Sequence, residues 1–376
     1  MAEQLPVFEL EEWFRRFAFV PGMTNLSPSN PSSPSVAELL ALSGRRADEI
    51  GSVSLDYGET KGAPALREAI AGLYETVSPD EVMVTSGAVE AITVCLVALV
   101  GRGTRVVLET PIYGSYEPLL RRLGAEVTTY ELSRADSYEY DTSRLADLLE
   151  ETRAELLVVN PFNNPTGRGI DSAGAFREVV ALAADLGTKV LSDEVFRQIG
   201  LVGPPLPSVM DLGEGGVAVG DMTKPWGLGG LRIGWLATRD RELLDQALNV
   251  RDYTTNSNSS VSEYLAGVAL EAREVLLERA LAVARGSFAE VDALVSASGG
   301  ALSWIGPAGG YCGWVEVSTE RESSVPELCA ALALDTHQLF LPGAVFGQQW
   351  SRHVRIGLTA GAAPLRAGLE ALVQLL

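Results

Sequence analysis

Lysine is scarce in this chain of 376 residues: Lys61, Lys189 and Lys224 stand against 26 arginines. Arginine keeps its proton in proteins, whereas a desolvated lysine can become a neutral amine nucleophile. Lys224 lies between an aspartate and a glycine-rich turn in "GDMTKPWGLGGLRIGW", which makes it the first candidate for amine chemistry. Histidine is scarcer still. His337 and His353 are too few and too poorly placed for a Ser–His or metal constellation, so no metal site is expected. Cys95, Cys312 and Cys329 are odd in number and far apart, which fits neither a disulfide framework nor a zinc site. Cys95, inside "AITVCLVALV", reads as a buried apolar residue. Basic charge is short as well: the net charge of −20 disfavours a nucleic-acid or anionic-membrane surface, since both need basic patches. No apolar run approaches the ~20 residues that cross a bilayer. The start, "MAEQLPVFELEEWF", lacks the basic n-region and apolar h-region of a signal peptide. A soluble, cytoplasmic protein without nucleic-acid or membrane partners is expected.

What is present suits about two domains. "FELEEWFRRFAF" predicts a short amphipathic helix with Leu10, Trp13, Phe14 and Phe17 on one side. Such a helix packs on the body or on a partner subunit, or closes over a site as a lid. "SPSNPSSPS" at 27–35 follows as an extended arm. From residue 63 the chain alternates helices with short apolar strands: "EVMVT", "RVVLE", "AEVTTYEL", "AELLVVN", "TKVLSD", "GVAVGD" and "LRIGWLA". "SRLADLLEET" between two of them reads as a helix capped by Ser143. This rhythm predicts an α/β fold with a largely parallel sheet covered on both faces. After about residue 240 come a helical tract over 261–298, the segments "GGYCGWVEV", "HQLFLP" and "HVRIGL", and a closing helix. The expected division is an N-terminal arm over 1–45, a large domain over 46–255 and a small domain over 256–376 that the arm helps to complete.

In open α/β sheets ligands gather outside the carboxyl ends of the strands. "EVMVT" runs into a small-residue turn before Ala88 and Val89, whose free N–H groups suit a phosphate. "RVVLE" ends near Tyr113, "AELLVVN" at the turn holding Asn164, and "TKVLS" at Asp193. "GVAVG" ends at Asp221, followed by Thr223 and Lys224, with Arg232 beyond the glycines. Phosphate donors, an aromatic face, a carboxylate for a ring cation, an amide donor and an amine together match pyridoxal phosphate.

In order and spacing these segments resemble the class I/II aminotransferase family of fold type I pyridoxal-phosphate enzymes, over most of the length from Tyr57 to Arg355. The resemblance implies a large domain with a mostly parallel seven-stranded sheet and a smaller C-terminal α/β domain. It also implies a homodimer with shared active sites and a small-molecule amino-acid substrate. "YGETKGAPALREAIA" resembles the segment whose tyrosine, Tyr57, reaches the phosphate in the neighbouring subunit. "NNPTG" resembles the turn whose asparagine, Asn164, donates to the cofactor's phenolic oxygen. "SDEVF" makes Asp193 the pyridine partner. Lys224 falls on the Schiff-base lysine, Arg232 on the phosphate-binding arginine and Tyr113 on the aromatic that stacks on the ring. "HVRIGL" places Arg355 on the substrate α-carboxylate, a bidentate task suited to guanidinium. Taken singly, Arg232 and Arg355 would fit surface ion pairs and Asp193 a helix cap.

Two positions depart from the family pattern. Phe196 stands where a tyrosine donates to the phenolic oxygen, so the Schiff base is expected to hold its proton more tightly. Asp221 stands where a serine meets the phosphate. A carboxylate there is repulsive, so Asp221 is expected to turn toward Arg232 or another donor and to leave a phosphate bond to Thr223. The Asp-x-x-Lys pattern, "YGETKG" and the Ser/Pro arm are similar to a natural-product branch that includes capreomycidine synthase and the arginine oxidases. That branch implies elimination, cyclisation or oxidation of an amino acid. The oxidases' arm histidine has no counterpart here. Amino transfer is the default expectation and the lyase or cyclase outcome its rival. A non-catalytic binding domain is disfavoured, because such modules carry a fused DNA-binding segment.

Overall fold

A computed structural model describes residues 4–318 and 324–376. Seven strands form the central sheet: β1 (Val82–Thr85), β2 (Arg105–Thr110), β3 (Glu126–Glu131), β4 (Leu156–Val159), β5 (Lys189–Asp193), β6 (Gly216–Asp221) and β7 (Gly234–Thr238). Their order across the sheet is β1-β7-β6-β5-β4-β2-β3. Only β7 runs against its neighbours, pairing antiparallel with both β1 and β6. Every residue of β1, β4, β6 and β7 is buried. Continuous apolar strands of this kind need cover on both faces, which the intervening helices supply. Six strands therefore point their carboxyl ends at one edge. Thr85, Thr110, Asp193 and Asp221 end there, and Asn160 follows β4 directly.

The helices keep close to the expected spans, with two corrections. The helix Thr142–Thr152 is capped by Asp141, not Ser143: Asp141 is extended and its carboxylate accepts from the N–H groups of Ser143 and Arg144. The long tract is two helices, Ser260–Glu271 and Arg273–Ala297, separated at Ala272. Alanine does not break helices, so tertiary contacts set the turn. Arg45 pairs with Glu271 and Ser43 Oγ donates to the Val268 carbonyl just before it.

A second, four-stranded antiparallel sheet forms from β8 (Leu302–Trp304), β9 (Cys312–Val317), β10 (Leu341–Pro342) and β11 (His353–Gly357) in the order β10-β11-β9-β8. The N-terminal arm is tied to this region. Thr24–Asn25 pairs in parallel with Gln338–Leu339, and the Gly357 N–H donates to the Leu26 carbonyl. The arm passes so close to β11 that a Cβ on Gly357 would lie 2.0 Å from the Pro28 carbonyl oxygen. No helix of the described residues is long and apolar enough to cross a membrane.

Candidate active site

The strand edge opens into a cavity of about 300 Å³. At one end β1 turns into the helix α1 (Ala88–Leu99) through Gly87, at φ 84°. A Cβ on Gly87 would meet the Arg232 guanidinium at 2.5 Å, so glycine is required on both counts. The Ser86 N–H is already given to Glu90 and the Gly87 N–H to the Thr85 carbonyl. The amides of Ala88 and Val89, at the first helical positions, have no intrahelical acceptor. Arg232 donates to the carbonyls of Gly229 and Ser86 and lines the cavity beside Thr223. Ala88, Val89, Thr223 and Arg232 could hold a phosphate.

Asp193 ends β5 inside the cavity. Tyr116 Oη donates to it at 3.0 Å and the Val195 N–H at 3.4 Å. Burial pushes its pKa up to about 6, against the pull of those two donors; Asp221 adds to the rise and Lys224 opposes it. A buried carboxylate with no ion pair suits a cationic ring nitrogen. Asp221 does not reach Arg232. Its Oδ1 accepts from the N–H groups of Thr223, at 3.1 Å, and Lys224, at 3.0 Å. The alternative donor is thus the backbone of the short helix α2 (Thr223–Trp226), and the cap presents Lys224 to the cavity. Phe196 also lines the cavity, bringing no hydroxyl. Asn164 takes Arg355 Nη1 on its Oδ1 at 3.0 Å and gives its backbone N–H to Asn160 Oδ1 at 2.8 Å. Its side-chain NH₂ is left for a ligand.

The opposite wall comes from the second sheet and the arm. Arg355, on β11, is buried with no ion pair among the described residues; Nη2 donates to the Ser27 carbonyl and Nε has no partner. Burial pulls its pKa below the usual guanidinium range. Arg355 lines the cavity, and a guanidinium without an ion pair suits a carboxylate. The amphipathic helix forms at Glu9–Phe17, and Leu10, Glu11 and Phe14 line the cavity. Trp13 Nε1 donates to the Phe340 carbonyl at 2.9 Å, and Phe17 packs with Ala333 and Leu339. Tyr113 Oη donates to Glu11 Oε1 at 3.1 Å, and the Tyr113 ring meets Phe8 edge-on.

Ten of the eleven sequence candidates line this one cavity: Ala88, Val89, Tyr113, Asn164, Asp193, Asp221, Thr223, Lys224, Arg232 and Arg355. Tyr57 does not. It is 89% exposed, in a surface hollow with Leu55 and Thr255. Glu11, Asn160 and Tyr116 were missed. Asn160 and Tyr116 sit beside recognised motifs, but Glu11 carries no local signal at all.

The comparisons agree with the cavity. The family model "aminotransferase class I and II" matches residues 22–372. The chain belongs to the class I and II aminotransferase family. Capreomycidine synthase of Streptomyces vinaceus is 31% identical, over 99% of this chain and 94% of that one. A crystal structure of the PLP-dependent cyclase OrfR superposes with a TM-score of 0.90 at 29% identity, covering 100% of this chain and 98% of that one. A PLP-dependent aminotransferase from Streptococcus suis 89-1591 gives a TM-score of 0.90 at 28% identity, covering 99% and 98%. As a member of this aminotransferase family the chain is a pyridoxal-phosphate enzyme, and the uncompensated Asp193, the free edge of Asn164 and the cradle at Arg232 fit that cofactor. When bound, pyridoxal phosphate supplies an electron-withdrawing ring that acidifies the α-hydrogen of an amino acid.

Proposed function

We propose that the enzyme acts on an α-amino acid with a cationic side chain and a leaving group such as a hydroxyl at Cβ or Cγ, and directs its chemistry there, by loss of that group and ring closure, instead of to amino transfer. In this reading Lys224 is the amine that carries the cofactor and then removes and returns the α-proton. Asp193 keeps the ring nitrogen protonated, Tyr113 stacks on the ring and Asn164 donates to its phenolic oxygen. Ala88, Val89, Thr223 and Arg232 hold the phosphate, and Arg355 forks onto the substrate α-carboxylate.

The observation that carries the side-chain reading is Glu11. Its carboxylate lies on the cavity wall opposite the floor, accepts one hydrogen bond, from Tyr113, and forms no ion pair among the described residues. A side-chain cation completes it. Amino transfer is the second reading, favoured by family membership. It needs a 2-oxo acid acceptor, and an acidic one would bring a second carboxylate against Glu11. Among the described lining residues the only cations are Lys224, Arg232 and Arg355, each already assigned. The whole-chain likeness to capreomycidine synthase and to a cyclase supports the Cβ/Cγ outcome.

We also propose a homodimer in which Tyr57 completes the partner's site. Leu55, Tyr57 and Tyr253 are large and apolar yet almost fully exposed, as an uncovered interface would leave them. The test is turnover on the 3-hydroxy derivatives of arginine, ornithine, norleucine and glutamate, whose Cβ hydroxyl can leave, with products read by mass spectrometry. Expected are a preference for the cationic pair, a cyclic product in which the Cβ hydroxyl has left as water and a side-chain nitrogen has taken its place, and about a tenfold loss of that preference in Glu11→Gln. A preference for the acidic compound, with an oxo acid that keeps its Cβ hydroxyl as product, would overturn the reading.

A further inference from the structure

Behind the cavity floor lies a further buried carboxylate. Glu109 is on β2 near its carboxyl end and is fully buried. No arginine or lysine pairs with it among the described residues. It is satisfied by neutral donors: Tyr140 Oη, Asn163 Nδ2, and the Asn160 N–H at 3.5 Å. Asn163 Nδ2 also donates to the Pro111 carbonyl at 2.8 Å, and its Oδ1 accepts from the Thr166 hydroxyl at 2.9 Å. Asn160 gives its Nδ2 to the Asp193 carbonyl at 2.7 Å and takes the Asn164 N–H on its Oδ1. From Glu109 the hydrogen bonds thus run outward to two residues of the floor.

Burying a carboxylate without a cation is unfavourable. Desolvation pushes the Glu109 pKa up to about 7; Tyr140, Asn163 and Asn160 oppose the rise, and Asp193 adds to it. Glutamine would fill the same space without a charge. What only a carboxylate offers is acceptance from several converging donors with no N–H of its own to misplace. An amide at 109 would set an NH₂ against either Asn163 Nδ2 or Tyr140 Oη.

We propose that Glu109 is a positioning residue of the cofactor site, holding the turn 160–166 so that Asn164 presents its NH₂ to the cofactor's phenolic oxygen and its Oδ1 to Arg355. The effect is transmitted through Asn163 and Asn160; Glu109 itself does not line the cavity. The inference rests on the family's cofactor and is independent of the side-chain reading of Glu11.

The experiment is a pH titration of the visible absorbance of the cofactor-loaded protein, wild type against Glu109→Gln, with KM and kcat measured separately. Loosening Asn164 removes stabilisation from the phenolic oxygen, so the apparent absorbance pKa rises by about half a unit to one unit. KM for the amino acid rises about three- to tenfold through Arg355, with a smaller change in kcat. Tyr140→Phe keeps the carboxylate but removes one of its donors, and a smaller shift in the same direction is expected. Should Glu109→Gln fail to fold, the Tyr140→Phe titration decides. A melting temperature that falls while the absorbance pKa stays at the wild-type value would mean a purely structural role and overturn the proposal. The absorbance titration needs no substrate, so its failure is separate from any failure of the substrate reading.

Discussion

Asp193, Asn164 and Lys224 reach the cavity from the ends of adjoining strands of one sheet, each fixed by hydrogen bonds to its near neighbours in the fold. Arg355 and Glu11 arrive otherwise. Arg355 is braced by the carbonyl of Ser27, 328 residues away in sequence, and Glu11 is held through a tyrosine 102 residues distant. The floor is a property of the parallel sheet, and in the proposed reading it holds what every reaction of the family shares. The wall is assembled from the arm and the second sheet; in the proposed reading its Arg355 meets the α-carboxylate common to amino acids and its Glu11 the side chain that differs between substrates. Changes to the floor should cost all substrates alike, and changes at Glu11 on the wall should discriminate among them.

The largest expected effect breaks the floor. Lys224→Ala should lower turnover about a thousandfold or more on every amino acid tried, because the group that moves the α-proton is gone. Steady-state rates at saturating cofactor check this, and full turnover would remove Lys224 from the site. Asp193→Asn tests the same region through stability. The folded-state pKa of Asp193, about 6, lies above its ordinary 3.8. Between those values the folded state binds the extra proton, so the favourable contribution is complete below the lower value and is lost as pH rises through the upper one. The cofactor-free variant should therefore gain about 3 kcal/mol on the wild type between pH 4 and 7, read by urea unfolding; a constant difference across that range would contradict it.

Arg355→Lys strikes the wall and should raise KM about thirtyfold, roughly 2 kcal/mol, while the absorbance pKa of the loaded protein stays put. A change in both would blur the division between floor and wall. Phe196→Tyr should act in the smallest measure. Restoring a donor to the phenolic oxygen should lower the absorbance pKa by about one unit, and an unchanged titration would mean that the hydroxyl does not reach it.

The floor was legible because parallel strands and their turns leave local marks: apolar runs, then small or polar residues where the chain leaves the sheet. Asp193, Asn164 and Lys224 each stand in such a place. Asp221 shows the limit. Its departure from the family pattern was visible, but its partner was not, because both Arg232 and the backbone of α2 were within reach in sequence. Only the tertiary placement of Arg232 against Ser86 and Gly229 leaves Asp221 to the N–H groups of Thr223 and Lys224. Glu109 ends the strand segment "RVVLE", and nothing nearby in sequence announces Tyr140 or Asn163 as its partners.

Residue order alone was enough for the layered α/β plan, the cofactor and the residues that line the cavity floor, because period, turn chemistry and spacing are short-range properties. Glu11 belongs to the other class. On its own helix it is one acidic residue among Glu9, Glu11 and Glu12, chemically equivalent to both neighbours. It becomes part of the cavity wall only because Trp13 and Phe17 anchor that helix to the second sheet region and turn Glu11 toward Tyr113. Contacts between the ends of a chain are decided by packing, and packing has no signature in a local stretch of sequence.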